Sequence, residues 1–134
     1  MFDVFKTNIL VRDKMIEKME GDGILVDYKT LNQNEYITAL RNKVIEEAQE
    51  VAEEKDKGKL IYEFADLLEV METLAIAVGV SVEEIKTAQR EKSQRFGRYS
   101  KGYFTNSLKI DTKNPAIEYY RKRPIKYPKI QTEK

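Results

Sequence analysis

Five carboxylates carry the strongest chemical signal in this chain. Glu46-Glu47-Ala48-Gln49-Glu50 is followed, after twelve residues, by Glu63-Phe64-Ala65-Asp66. The chain has neither His nor Cys, which removes imidazole bases, thiolate nucleophiles and nitrogen or sulfur metal ligands. Hydrolytic chemistry must then rest on carboxylates, on Lys, Tyr, Ser or Thr, or on a metal held through oxygen. A set of hard oxygen donors suits Mg²⁺, with Mn²⁺ as a substitute.

Helical elements must position these acids. One helix is expected over residues 34–56, with Asn32 or Asn34 as N-cap. A second is expected over 59–78, ending at Gly79. A third starts at the capping-box pattern Ser81-Val82-Glu83-Glu84 and reaches Arg95. The opening stretch from Asn8 to Met19 reads as a short helix that stops before Gly21-Asp22-Gly23, and residues 24–28 read as extended. Three substantial helices on short loops make the fold class all-α, a helical bundle.

On a 100° wheel with Ile37 at zero, Leu40, Val44, Ala48 and Val51 form the buried stripe of the first long helix. Glu47 falls at about −80° and Glu50 at about −140°, on one shoulder of that stripe, while Glu46 points away. Lys43 lies between Glu47 and Glu50 in angle. On the second helix Glu63 falls inside a wide apolar band and Asp66 on its edge. An unpaired carboxylate there costs several kcal/mol unless something compensates it. Solvated acids with ordinary ion-pair partners would explain any one of these residues. Two i, i+3 acidic pairs, each beside its helix's apolar stripe, point instead to a metal site of Glu47, Glu50, Glu63 and Asp66.

The same residues resemble the EExxE…ExxD signature of the MazG-like all-α nucleotide pyrophosphohydrolases. Leu10-Val11-Arg12-Asp13-Lys14-Met15 resembles the "LVRDKI" start of the phosphoribosyl-ATP pyrophosphohydrolase-like branch. Phe64 to Val70 and the Gly79-Val80-Ser81 turn are also similar, so the likeness spans residues 8–104. It implies hydrolysis of a nucleoside triphosphate or related nucleotide to the monophosphate and pyrophosphate, with Mg²⁺ on Glu47, Glu50, Glu63 and Asp66. It also implies assembly as dimers or tetramers and a role in clearing aberrant nucleotides. The pattern departs from the branch after the third helix. Lys92-Ser93-Gln94-Arg95-Phe96-Gly97 stands where a Lys-x-x-x-Arg-Gly-Gly-Phe ending is usual.

A charge argument completes the expected site. Four carboxylates and a bound triphosphate accumulate negative charge that metal ions and several cations must offset. Arg12, Lys14, Lys43, Lys92 and Arg95 are the candidate phosphate-binding residues.

The sequence also divides by charge. Residues 101–134 hold nine Lys or Arg and three Asp or Glu, a balance of +6, along with all three prolines. This sets a pyrophosphohydrolase domain of residues 1–104 against an irregular basic tail of residues 105–134. The interleaved basic and aromatic residues from Tyr119 to Tyr127 leave open a single-stranded nucleic-acid-binding module. A tail that packs on a partner subunit or is simply disordered is the preferred reading, and nucleic acid is not expected as a partner. A non-catalytic helical interaction protein is the other alternative. No apolar run approaches a membrane span or a signal-peptide core, so a soluble cytoplasmic protein is expected. The apolar arc of the second helix is too wide for two neighbours to cover. A homodimer or homotetramer is therefore expected, with Phe64, Leu68, Met71 and Ala75 near its interface and Tyr119 and Tyr120 adding to it.

Overall fold

The computed structural model describes residues 1–134 and is all-helical, with five helices and no strand. They are α1 (Met15–Gly21), α2 (Gln33–Glu53), α3 (Lys57–Ala77), α4 (Val82–Phe96) and α5 (Ile117–Arg121). No helix is long and apolar enough to cross a membrane. The chain divides into two compact units, Met1–Phe96 and Gly97–Lys134. The boundary read from the sequence, after residue 104, falls inside the second.

Local chemistry explains where the long helices begin and end. The Asn32 side chain accepts from the Glu35 N–H at 2.9 Å, and the Glu35 carboxylate accepts from the Asn32 N–H at 3.3 Å. This closed capping box satisfies two donors that a helix start leaves unpaired. Asp56 caps α3 by accepting from the Lys59 N–H at 3.0 Å. At the other end of α3, the Val80 N–H donates to the Ala75 carbonyl and the Gly79 N–H to the Ile76 carbonyl. That pairing needs a left-handed residue after the cap, and Gly79 supplies it with φ +79°. Ser81 then caps α4, its hydroxyl accepting from the Glu84 N–H at 3.1 Å.

Helices α2 and α3 form the main packed pair of the first unit. Only Glu54, Lys55 and Asp56 separate them, which makes the pair an antiparallel hairpin. Gln33 at the start of α2 accordingly donates to the Ala77 carbonyl at the end of α3, at 3.2 Å. The inward residues of α2 are Ile37, Leu40, Val44, Glu47 and Val51; those of α3 are Leu60, Glu63, Leu67, Val70 and Leu74. Both sets step by three and four residues alternately, the 3.5-residue period of a knobs-into-holes seam.

Two expectations are corrected here. Ala48, placed in the buried stripe, is exposed, and Glu47 takes its place inside. A seam of period 3.5 gains about 3° per residue on a straight wheel, so ten residues from Ile37 the inward direction has swung toward Glu47. The opening helix does not start at Asn8 but at Met15. Residues 9–14 are irregular after Asn8, whose φ is +47°, and they run along the α2–α3 pair. Residues 24–28 form no strand.

Candidate metal and phosphate site

Within the seam, Glu47 on α2 and Glu63 on α3 occupy positions that Leu or Val fill in neighbouring turns. Glu47 is only 6% exposed, the one buried charged residue of the chain. Glu63 is half-buried and Glu50, one turn beyond Glu47, is at the solvent edge. Carboxylate oxygens of these three residues lie within 4.8 Å of one another. The structure thus brings together three of the four acids read as ligands.

Asp66, the fourth, has a different immediate partner. Its Oδ1 accepts from Arg12 Nη2 at 2.6 Å. Asp66 still stands near enough to Glu47 for its charge to act there. Glu46 is half-exposed and accepts from Lys43 Nζ at 3.1 Å. The same ammonium reaches Glu47 Oε1 at 3.5 Å, and its side chain is largely enclosed. Lys43 is therefore the cation closest to the acids, yet it covers only one side of them. Oε2 of Glu47 and Oε2 of Glu63 are both buried with no hydrogen-bond partner. Unsatisfied buried acceptors are rare, because each forfeits its hydration without return.

The electrostatics follow from this crowding. Burial, foremost, pushes the Glu47 carboxyl above its ordinary value, and proton sharing with Glu50 and the Glu50 charge push the same way; Lys43 opposes them. For Glu50 the contact with Glu47 pulls downward. The proximity of Glu63, lost hydration and the charges of Glu63 and Glu46 outweigh it, and the net direction is upward. Three carboxylates sharing so small a space favour either a retained proton or a cation. Oxygen-only donors at the seam fit a hard divalent ion. A cluster of exposed acids alone would not make that case; the two orphaned oxygens do.

Beside the acids lies a cleft of about 600 Å³, within the range of small-molecule sites. Arg12, Lys14 and Lys43 line it together with Asp13, Glu47, Asp66 and Glu69 and the apolar Leu40 and Val70. Three of the five cations read as phosphate-binding thus share one cleft. Lys92 and Arg95 do not line it. They stand exposed on α4, where the Arg95 guanidinium lies 4.9 Å from the Phe96 ring centroid. Tyr36 and Thr73 also line the cleft and were not singled out from sequence. The 3-and-4 stepping of α2 and α3 would have placed both beside the seam, on the side of Glu47.

Comparison with family models, with curated proteins and with solved structures returned no match. The class that the fold and site define is an all-α protein with three clustered carboxylates that could bind a divalent cation, beside a cleft lined by three cations and four carboxylates.

Proposed function

We propose that this chain is a MazG-like nucleotide pyrophosphohydrolase of the phosphoribosyl-ATP pyrophosphohydrolase-like branch, a cytoplasmic enzyme acting on nucleoside triphosphates or related nucleotides. The observation that carries this reading is the pair of unpartnered buried oxygens, Glu47 Oε2 and Glu63 Oε2, in a cluster that Glu50 completes within 4.8 Å. Glu47, Glu50 and Glu63 would hold Mg²⁺ or Mn²⁺, and Asp66 would join them on release from Arg12. A bound divalent ion supplies charge neutralisation for the phosphates and a lowered pKa for water.

The remaining work falls to the chain's own residues. Arg12, Lys14 and Lys43 bind phosphate oxygens along the cleft and hold the α-phosphorus in reach of water. A carboxylate of the site not engaged by the ion would accept the proton of the attacking water. Water oxygen bonds to the α-phosphorus, the bridge to the β-phosphate breaks, and pyrophosphate departs with that bridging oxygen. Arg12 has two roles here: it neutralises Asp66 in the free protein and turns to phosphate when substrate arrives. Clearing aberrant nucleotides is the cellular role this chemistry would serve.

The active form in this reading is a homodimer or homotetramer. One observation supports it. The outer face of α3 leaves Ile61, Phe64, Leu68 and Met71 about half or more exposed, an apolar strip that an isologous contact would cover. Ala75, which the sequence placed near that interface, is buried within the chain itself.

The test is pyrophosphate release from a panel of normal and modified nucleoside triphosphates with Mg²⁺ or Mn²⁺. The expected result is release from at least one substrate, abolished by chelation and by Glu63→Gln. Silence across the panel, or equal activity in Glu63→Gln, overturns the proposal.

A further inference from the structure

The second unit, Gly97–Lys134, has almost no hydrophobic core; Ile110, Ile117, Tyr120 and Tyr127 are its half-buried residues. Aromatic contacts organise it instead. Tyr120 meets Tyr127 edge to face with ring centroids 5.0 Å apart, Tyr119 meets Tyr120 at 5.2 Å, and Tyr119 lies 6.0 Å from Tyr127. The Arg123 guanidinium covers the Tyr119 ring at 4.0 Å and donates to the Tyr119 carbonyl at 2.8 Å. The Tyr119 hydroxyl, foremost, and Lys126 draw the Tyr127 phenol below its ordinary pKa. These contacts close α5 and the Pro124–Pro128 turn into one small knot.

Two features of the unit go beyond the knot, although Arg123 and Lys126 contribute to it and Lys101 Nζ lies 5.7 Å from the Tyr103 ring centroid. The unit carries ten Lys or Arg against three Asp or Glu, a balance of +7, while residues 1–96 balance at −6. Only Lys109 and Arg121 are ion-paired, with Glu133 and Glu118; the other eight cations have no carboxylate partner. The rings of Tyr99, Tyr103 and Phe104 are also at least 85% exposed, interleaved in sequence with Arg98 and Lys101. Surfaces that leave several rings in water are surfaces for binding.

We infer that the Gly97–Lys134 unit docks single-stranded nucleic acid, its unpaired cations taking backbone phosphates and the exposed rings of Tyr99, Tyr103 and Phe104 stacking on bases. The chemistry selects this partner. Phosphates spaced along a strand match cations distributed along the whole unit. Exposed rings match unstacked base faces, which a duplex hides. An anionic bilayer would attract the same cations, but it offers the rings no base faces to stack on, and vesicles therefore form the opposing arm of the test. This inference does not depend on the chemistry proposed for the seam.

The experiment uses the full chain in chelator, which silences any metal-dependent hydrolysis, and a fluorescently labelled fifteen-residue oligothymidylate read by anisotropy. Binding is expected at low salt and weakens as salt rises, with a log–log slope of about −0.7 for each phosphate contact. The triple change Lys122→Ser, Lys126→Ser, Lys129→Ser should weaken binding and flatten that slope by about two. The triple change Tyr99→Ala, Tyr103→Ala, Phe104→Ala should weaken binding at least tenfold while leaving the salt slope nearly unchanged. Of these six residues only Lys126 touches the tyrosine knot, through the Tyr127 ring, so the double change Lys122→Ser, Lys129→Ser serves as its control and should flatten the slope by about 1.4; Glu63→Gln should bind the oligonucleotide as the parent does. No binding at low salt, equal affinity for duplex of the same length, or no effect of the ring changes overturns the inference. Binding to phosphatidylserine vesicles without binding to the oligonucleotide overturns it in favour of a membrane surface.

Discussion

Along the α2–α3 seam, three carboxylates converge within 4.8 Å, one of them buried, and a single lysine leans against them. In Gly97–Lys134, eight cations stand in solvent with no carboxylate beside them and need none. The two regions are similarly one-sided in charge, yet their costs differ. Water screens the exposed cations, so their mutual repulsion is small. Enclosed carboxylates lose hydration and repel through a poorer dielectric. An arrangement that costs stability within the fold is informative about what else must be present. An exposed one is informative only when a second feature, here the bare rings, accompanies it.

The sharpest way to break this contrast is to neutralise a seam acid. Glu63→Gln should reduce metal-dependent pyrophosphate release by about 10³-fold or more. The same change should raise the melting temperature of the metal-free protein, because it removes a like charge from the seam. A variant that keeps its activity, or melts lower without metal, would show that the seam is an ordinary structural ion cluster. Next in size is the effect of Leu68→Asp on the outer face of α3. Sedimentation should show the assembled mass falling to the 15.7 kDa of one chain, with activity falling in parallel.

The pH dependence sharpens the comparison further. Glu47 and Glu50 are both raised above their ordinary value of 4.5. The folded state therefore holds protons more tightly than the unfolded chain, and this contribution to stability is complete below about pH 4.5. It is lost as pH rises through the elevated folded values. Thermal denaturation in chelator should show stability falling on that upward path, and Mg²⁺ should restore more of it at pH 8 than at pH 5. The C-terminal unit supplies the smallest expected effect. Lys122→Ser removes an exposed, unpaired cation and should move stability by no more than about 0.5 kcal/mol in denaturant titration.

Much of the scaffold was legible from short-range chemistry. Asn32 with Glu35, Ser81 with Glu84, and Gly79 after α3 are signals carried by residues within three or four positions of one another. They operate before any tertiary contact forms, so they can be read from the chain alone. The wheel was less reliable over distance. It placed Ala48 inside and Glu47 on the shoulder because it assumed straight, isolated helices. Pairing with α3 imposes the 3.5-residue seam and carries Glu47 inward. In the C-terminal segment, α5 escaped notice because a five-residue helix between prolines has no period to read.

By itself, then, the sequence determined the all-α class, the capped ends at Asn32, Gly79 and Ser81, and the exclusion of imidazole and thiolate chemistry, since composition and neighbouring residues suffice for these. Tertiary structure alone decided which acids meet. It joined Glu47 and Glu50 to Glu63 across the hairpin. It set Arg12 on Asp66, a pair 54 positions apart along the chain, and it folded Tyr127 back onto Tyr119 and Tyr120. Contacts of that kind depend on the register and direction in which segments pack. No local preference encodes them, because the energy that selects them exists only once the elements are in contact.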